Sequence, residues 1–135
     1  MNFTPEQLQT LLAAAGVLGP HFLIRAQPDN GVVTVMGTIP CTTAKIYKFD
    51  VIFTGRNPTT GTGVTTRLAI SVQGGPAPAA LAAAAIVEAA ATNMANPPVF
   101  TLAVNGLNLE LRVNNPVAGD PADVEAIVLG PKISQ

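Results

Sequence analysis

The sequence predicts an α+β fold: an antiparallel sheet of about six strands, a long alanine-rich helix packed on one face and a short N-terminal helix. Three observations predict it. Residues 44–54 and 63–73 alternate apolar and polar side chains with the period of two that strands show. Asn105-Gly106 lies between two further alternating stretches, a strong short-range hairpin signal. Eleven of the nineteen residues from Ala77 to Ala95 are alanine, the best helix former. Strands that follow one another, rather than alternating with helices, favour antiparallel pairing.

The 135 residues fit a single domain, 1–135. Within it the sequence suggests an N-terminal helix (1–16), a first set of antiparallel strands (17–73), the long helix (76–95), a hairpin (99–113) and a final element with a tail (114–135). Thr4-Pro5-Glu6-Gln7 is a capping box with proline at the first helical position. Phe3 and Leu8 have the spacing of a hydrophobic staple. Leu8, Leu11, Leu12 and Ala15 then form one apolar stripe, ended by Gly16.

Four strands should follow. His21–Gln27 and Val32–Ile39 flank Pro28-Asp29-Asn30-Gly31, which reads as a hairpin turn. In Ala44–Thr54, Tyr47, Phe49, Val51 and Phe53 share one face, with Lys48 and Asp50 on the other. In Gly63–Gln73, Val64, Thr66, Leu68, Ile70 and Val72 oppose Thr65, Arg67, Ala69 and Ser71. The connecting segment from Gly55 to Thr62 has no apolar anchor and reads as an exposed, mobile hairpin arm.

Gly74-Gly75 breaks the last of these strands, Pro78 suits a first helical turn, and Asn96-Pro97-Pro98 ends the run. No polar residue lies between Pro78 and Glu88. A helix apolar on all sides is normally buried on all sides, so one face should lie on the sheet and something else must cover the other. It is not a membrane span: alanine is weakly apolar, Glu88 interrupts it, and no Lys, Arg, Trp or Tyr flanks it. Glu88 marks either the wet side of the helix or an ion pair with a neighbouring subunit, and the wet side is favoured.

Val99–Val104 and Leu107–Val113 should form a type I′ hairpin pairing Val104 with Leu107 and Leu102 with Leu109. Phe100, Leu102, Val104, Leu107, Leu109 and Leu111 would share its apolar face, with Thr101, Asn108, Glu110 and Arg112 on the other. Beyond Asn114-Asn115-Pro116 and Gly119-Asp120-Pro121, Asp123–Leu129 reads as a strand or a short helix. Gly130-Pro131 then ends ordered structure before a tail, Lys132–Gln135.

Charged residues are 11% of the chain, against roughly 25% in ordinary soluble domains. The net charge of −1 and the absence of a basic patch argue against nucleic acid and charged membrane surfaces as partners. No basic segment precedes the apolar part of the N-terminus, so no signal peptide is expected and synthesis in the cytoplasm is.

Chemistry is hard to assemble from these residues. His21 is the sole histidine, Ser71 and Ser134 are the sole serines, and neither serine sits in a nucleophile-elbow context. Cys41, the single cysteine, reads as a small apolar filler. One histidine and one cysteine fall short of a zinc site, and no calcium loop is present. Asp120, Asp123 and Glu125 cluster in a Pro/Gly-rich stretch, where solvated charge is the ordinary explanation, and Glu110 reads as a sheet-face charge. Gly74-Gly75 has the look of a phosphate turn, but Pro76 and Pro78 remove the amides such a turn needs. No catalytic, cofactor-binding or metal-binding residue is expected, and no enzyme.

A charge-poor single domain rich in Ala, Thr, Pro and Asn, with a Thr/Gly arm at Gly55–Gly63 and a loose C-terminal tail, resembles the small virion proteins of tailed bacteriophages, of capsid-decoration or head–tail connector type. The resemblance implies a symmetric homo-oligomer, a capsid, portal or tail protein as further partner, and a place in the virion. Leu81, Ala85, Ile86 and Glu88 on the long helix, with Arg56, Asn57, Thr59 and Thr60 in the arm, are the interface candidates. The alternative is a small-ligand or peptide binding domain with a pocket between sheet and helix, for which Arg25, Tyr47 and Arg67 are the polar candidates.

Overall fold

The structure, a computed structural model, describes residues 21–116 and 122–134. Those residues are all-β, nine strands and no helix, arranged as two antiparallel sheets. The expected α+β class is therefore overturned. The N-terminal helix expected over 1–16 lies outside the described residues.

The strands are β1 (His21–Ala26), β2 (Val33–Pro40), β3 (Ile46–Arg56), β4 (Gly63–Gln73), β5 (Ala79–Ala80), β6 (Ala85–Thr92), β7 (Val99–Asn105), β8 (Asn108–Asn114) and β9 (Asp123–Ser134). The wide sheet has the order β1-β9-β3-β4, with β5 and β6 both pairing along the outer edge of β4. The narrow sheet is β2-β8-β7. The two pack face to face, with β1 over β2 at one end and β4 and β5 over β7 at the other.

The alternating strands behave as their pattern predicts. Tyr47, Phe49, Val51 and Phe53 of β3 are buried, as are Val64, Thr66, Leu68, Ile70 and Val72 of β4. They meet Leu109, Leu111 and Val113 of β8 and Phe100 and Leu102 of β7, and the Phe53 and Phe100 rings stack at 4.8 Å. A period-2 pattern with one buried face generates this two-layer core directly.

The 76–95 segment is the largest correction. It forms β5 and β6 instead of a helix, and all eight residues of β6 are exposed. Pro78 biases Ala77 towards extended backbone. The free edge of β4 offers donors and acceptors that a returning strand can satisfy. Alanine's helix advantage over Ile or Val is only about 0.5 kcal/mol per residue, and edge pairing outweighs it.

Three further expectations change. β1 and β2 do not pair with each other: β1 pairs with β9 and β2 with β8, so the Pro28–Gly31 turn carries the chain between sheets. Gly31 N–H donates to Asn115 O, and Asn115 Nδ2 to Asn30 Oδ1, which fixes that crossing. A turn sequence encodes reversal, not the identity of the neighbour. In the β7–β8 hairpin the pairs are Asn105↔Asn108, Val104↔Leu109 and Leu102↔Leu111, two residues out from the expected register. Gly106 has φ +59° and among the described residues only glycines have positive φ, so the loop is Gly106-Leu107 with the pattern of a II′ turn. A slip of two preserves the faces, which is why the apolar face stands except for Leu107, now exposed at the turn. Finally, residues 130–134 are no tail. β9 continues through the cis Gly130-Pro131 bond to Ser134 and lies between β1 and β3. One extra residue on β9 opposite Lys48–Asp50 makes a bulge there, the position at which a central strand accepts proline.

Candidate interaction surface

The outer face of the wide sheet holds most of the polar groups, and they are already engaged. Arg25 Nε donates to Glu125 Oε1 at 2.9 Å and Gln27 Nε2 to Asp123 Oδ1 at 2.7 Å, both across the β1–β9 ladder. Arg67 forms a two-pronged pair with Asp50 on β3. That hydrogen bond and charge push the Arg67 pKa further up. On the narrow sheet Arg112 pairs with Glu110 two residues away. The carboxylates that acid–base chemistry would need thus each hold a guanidinium or an amide; Asp120 lies outside the described residues.

The remaining chemical candidates are not brought together. Ser71 on β4 and His21 on β1 are separated by two intervening strands, about 14 Å at ordinary strand spacing. Cys41 is fully buried, donates to Ile39 O at 3.5 Å, and has its pKa raised by burial. Among the described residues no group of three or more His, Cys, Asp or Glu side chains could hold a metal ion, and no helix is long and apolar enough to cross a membrane. The pocket expected between sheet and helix loses its helix, and its polar candidates diverge. Tyr47 points into the core, where its hydroxyl accepts from Thr43 N–H, whereas Arg25 and Arg67 lie on the outer face.

Four of the eight interface candidates, Leu81, Ala85, Ile86 and Glu88, lie along the β4 edge of the wide sheet, and the other four lie at the end of β3 and in the arm that follows it. Leu81 N–H donates to Ser71 O at one end of that edge. Ala85 and Ile86 pair with Ala69 and Leu68, and Glu88 pairs with Arg67. At the far end β6 is tied to the base of the β3–β4 arm. Gly63 N–H donates to Asn93 Oδ1 at 2.7 Å, and Asn93 N–H to Gly63 O at 3.2 Å. The arm is organised by Asn57, which is buried: its Oδ1 accepts from Thr59 and Thr60 N–H, and its carbonyl from Gly61 N–H. Asn57 is therefore an internal brace, while Arg56, Thr59 and Thr60 are exposed around it. A shallow groove of about 540 Å³ between arm and β6 is lined by Arg56, Thr65, Thr92 and Asn93.

What the sequence reading missed is why this edge is apolar and open. Ile86 pairs with Leu68 and so shares the inner face, yet Ile86 is 69% exposed while Leu68 is 7%. Among the described residues the narrow sheet ends at β7, under β4 and β5, and no strand of it extends beneath β6. The wide sheet overhangs by one strand. Val87 on β6 and Val99 at the start of β7 are also exposed, and the Ile86-Val87 pair inside an alanine run was the available signal.

No family model matches the chain, and no curated protein matches it. Among solved structures, the fold is similar to part of the tailspike protein of Acinetobacter baumannii phage AM24. The TM-score is 0.48 at 10% identity, over 85% of this chain and 27% of the tailspike. The chain thus spans about a quarter of that protein's length. A likeness of this extent is one of partial architecture and fixes neither activity nor assembly.

Proposed function

We propose that the chain is a non-enzymatic structural module that acts by assembly, as a virion component of a tailed phage. The carrying observation is the overhanging edge of the wide sheet, eight exposed residues of β6 with a single charge among them. An exposed apolar edge strand is a liability that folded proteins normally cover, charge or shorten, so a long uncovered one is best understood as an interaction site. The engaged carboxylates on the outer face support a structural role over a catalytic one. The charge-poor composition that resembles small virion proteins supplies the phage setting, with capsid decoration and the head–tail connector as its two finer forms.

Molar mass in solution, from light scattering on a size-exclusion column, tests this. A discrete oligomer, or a monomer that binds a capsid, portal or tail protein, is the expected result. A monomer at millimolar concentration whose melting temperature rises with a small ligand would replace it with the binding-domain reading.

A further inference from the structure

The chain holds two Asn-Gly pairs, Asn30-Gly31 and Asn105-Gly106, both exposed at turns and both with the glycine at positive φ. We infer that Asn105 is a site of spontaneous covalent modification, converting through a succinimide to aspartate and isoaspartate, and that the fold protects Asn30 from the same reaction. The chemistry needs a side-chain amide followed by an unhindered backbone amide. The Gly106 nitrogen loses its proton to base and attacks Cγ of Asn105, forming a new C–N bond. The Cγ–Nδ2 bond breaks, and the amide nitrogen takes up a proton and leaves as ammonia. Water then opens the ring. Addition at Cγ gives aspartate, whereas addition at the main-chain carbonyl gives isoaspartate, linked onward through Cγ. The net change is amide and water to carboxylic acid and ammonia, with nothing oxidised or reduced.

Exposure does not separate the two sites, but hydrogen bonding does. At Asn30 both reacting groups are tied. Gly31 N–H, the would-be nucleophile, donates to Asn115 O at 2.6 Å, and Asn30 Oδ1 accepts from Asn115 Nδ2 at 2.6 Å. Asn115 is fully buried, so releasing either bond takes a partner from a group that water cannot reach. At Asn105 the nucleophile is available. Gly106 N–H makes no hydrogen bond among the described residues, and a Cβ on Gly106 would meet nothing within 4 Å. The Asn105 side chain has one long hydrogen bond, Nδ2 to Glu110 Oε2 at 3.3 Å, and Glu110 is held more closely by Arg112 Nε at 2.9 Å. Asn105↔Asn108 is also the last rung of its ladder, the part of a hairpin that opens first. Leu107 O is anchored by Cys41 N–H at 2.9 Å, but that bond lies beyond the peptide that reacts. Conversion puts a carboxylate where Asn105 donated to Glu110, so two like charges then share the end of the hairpin.

The full chain, incubated in mildly alkaline buffer and sampled by proteolysis and mass spectrometry, tests this without any variant. The amide-to-acid mass gain is followed separately in the peptides that carry Asn30 and Asn105. A parallel incubation in guanidinium chloride gives each site's unfolded rate, and dividing folded by unfolded rate cancels the influence of neighbouring residues. Folding should slow Asn30 at least about tenfold more than Asn105, the factor expected for giving up about one hydrogen bond to a buried group. Asn105→Gln should abolish the modification in the hairpin peptide and leave the rate at Asn30 unchanged. Equal slowing at the two sites, or an Asn105 that converts only when unfolded, overturns the inference.

Discussion

Gly74 closes the bottom of the core, and replacing it with alanine should be among the most damaging small substitutions in the chain. The residue is buried where the 41–45 loop crosses the end of β4. A methyl group there would stand 2.8 Å from Cys41 O, and closer still to Thr43 O and to Cε2 of Tyr47, all inside the 3.0 Å that real Cβ atoms respect. Two of the three obstacles are backbone carbonyls, so a rotamer change cannot relieve them. The loop must move, straining the Gly74 N–H bond to Lys45 O and the Gly75 N–H bond to Cys41 O, and Tyr47 must turn. Overpacking costs about 1–3 kcal/mol and each of the two strained hydrogen bonds about 1, giving a loss of about 3–5 kcal/mol. For a domain of this size that lowers the melting temperature by about 10–18 °C. Urea unfolding followed by near-ultraviolet circular dichroism of Tyr47, the sole tyrosine, reads the loss at its source. Gly106→Ala is the control. It meets open space but has φ +59°, so only backbone strain of about 1 kcal/mol is expected. A Gly74→Ala loss smaller than that of Gly106→Ala would refute the packing argument.

Three other outcomes follow from the same structure. Cys41 should resist thiol reagents in the folded protein and react on unfolding, as a fully buried thiol must. Because burial raises its folded pKa above 9.0, both states carry the neutral thiol below that pH. Above it the unfolded state ionises first, so stability falls by up to about 1.4 kcal/mol per pH unit until the folded pKa is reached. The difference between wild type and Cys41→Ala, measured from pH 8 to 10.5, isolates this slope from the lysines, and a constant difference would refute it. Asn57→Ala removes the acceptor of two arm amides at 2.9 and 3.3 Å and should cost about 1–2 kcal/mol, with faster proteolysis at Thr59–Gly61. Arg25→Ala should change stability by less than about 0.5 kcal/mol in denaturant titration, since its pair with Glu125 is largely exposed.

What was legible in the sequence is what period and face determine. Tyr47, Phe49, Val51 and Phe53 had to lie on one side of a strand, and Val64 to Val72 on one side of the next, whatever their neighbours; both sets are core. The β7–β8 faces survived a turn misread by two residues for the same reason. What was not legible is pairing at a distance. Arg25 and Glu125 are a hundred residues apart, and nothing local in HFLIRA names β9 as its neighbour. Gly130-Pro131 looked like an ending because proline interrupts ladders; it is accommodated by a bulge that only the opposing Lys48–Asp50 reveals.

The alanine segment shows why a wrong secondary structure can still single out an exposed apolar stretch. Its residues were singled out because they are apolar on every side, and that property belongs to composition, not to helix or strand. As a helix the segment would have kept one face on the sheet and exposed the other. As β6 it pairs by backbone to β4, whose ladder it completes, and leaves both faces uncovered. The exposed apolar area is therefore larger than the helical reading implied, and the demand for a cover is stronger. The choice between the two conformations also explains the composition. Small side chains leave a strand thin on both faces, so a second layer can approach it closely. Ile86 is the exception, a large side chain on the inner face where the narrow sheet stops. A residue of that size, 69% exposed within an otherwise alanine-lined overhang, is the place where a single charge should have the largest effect on assembly and the smallest on the fold.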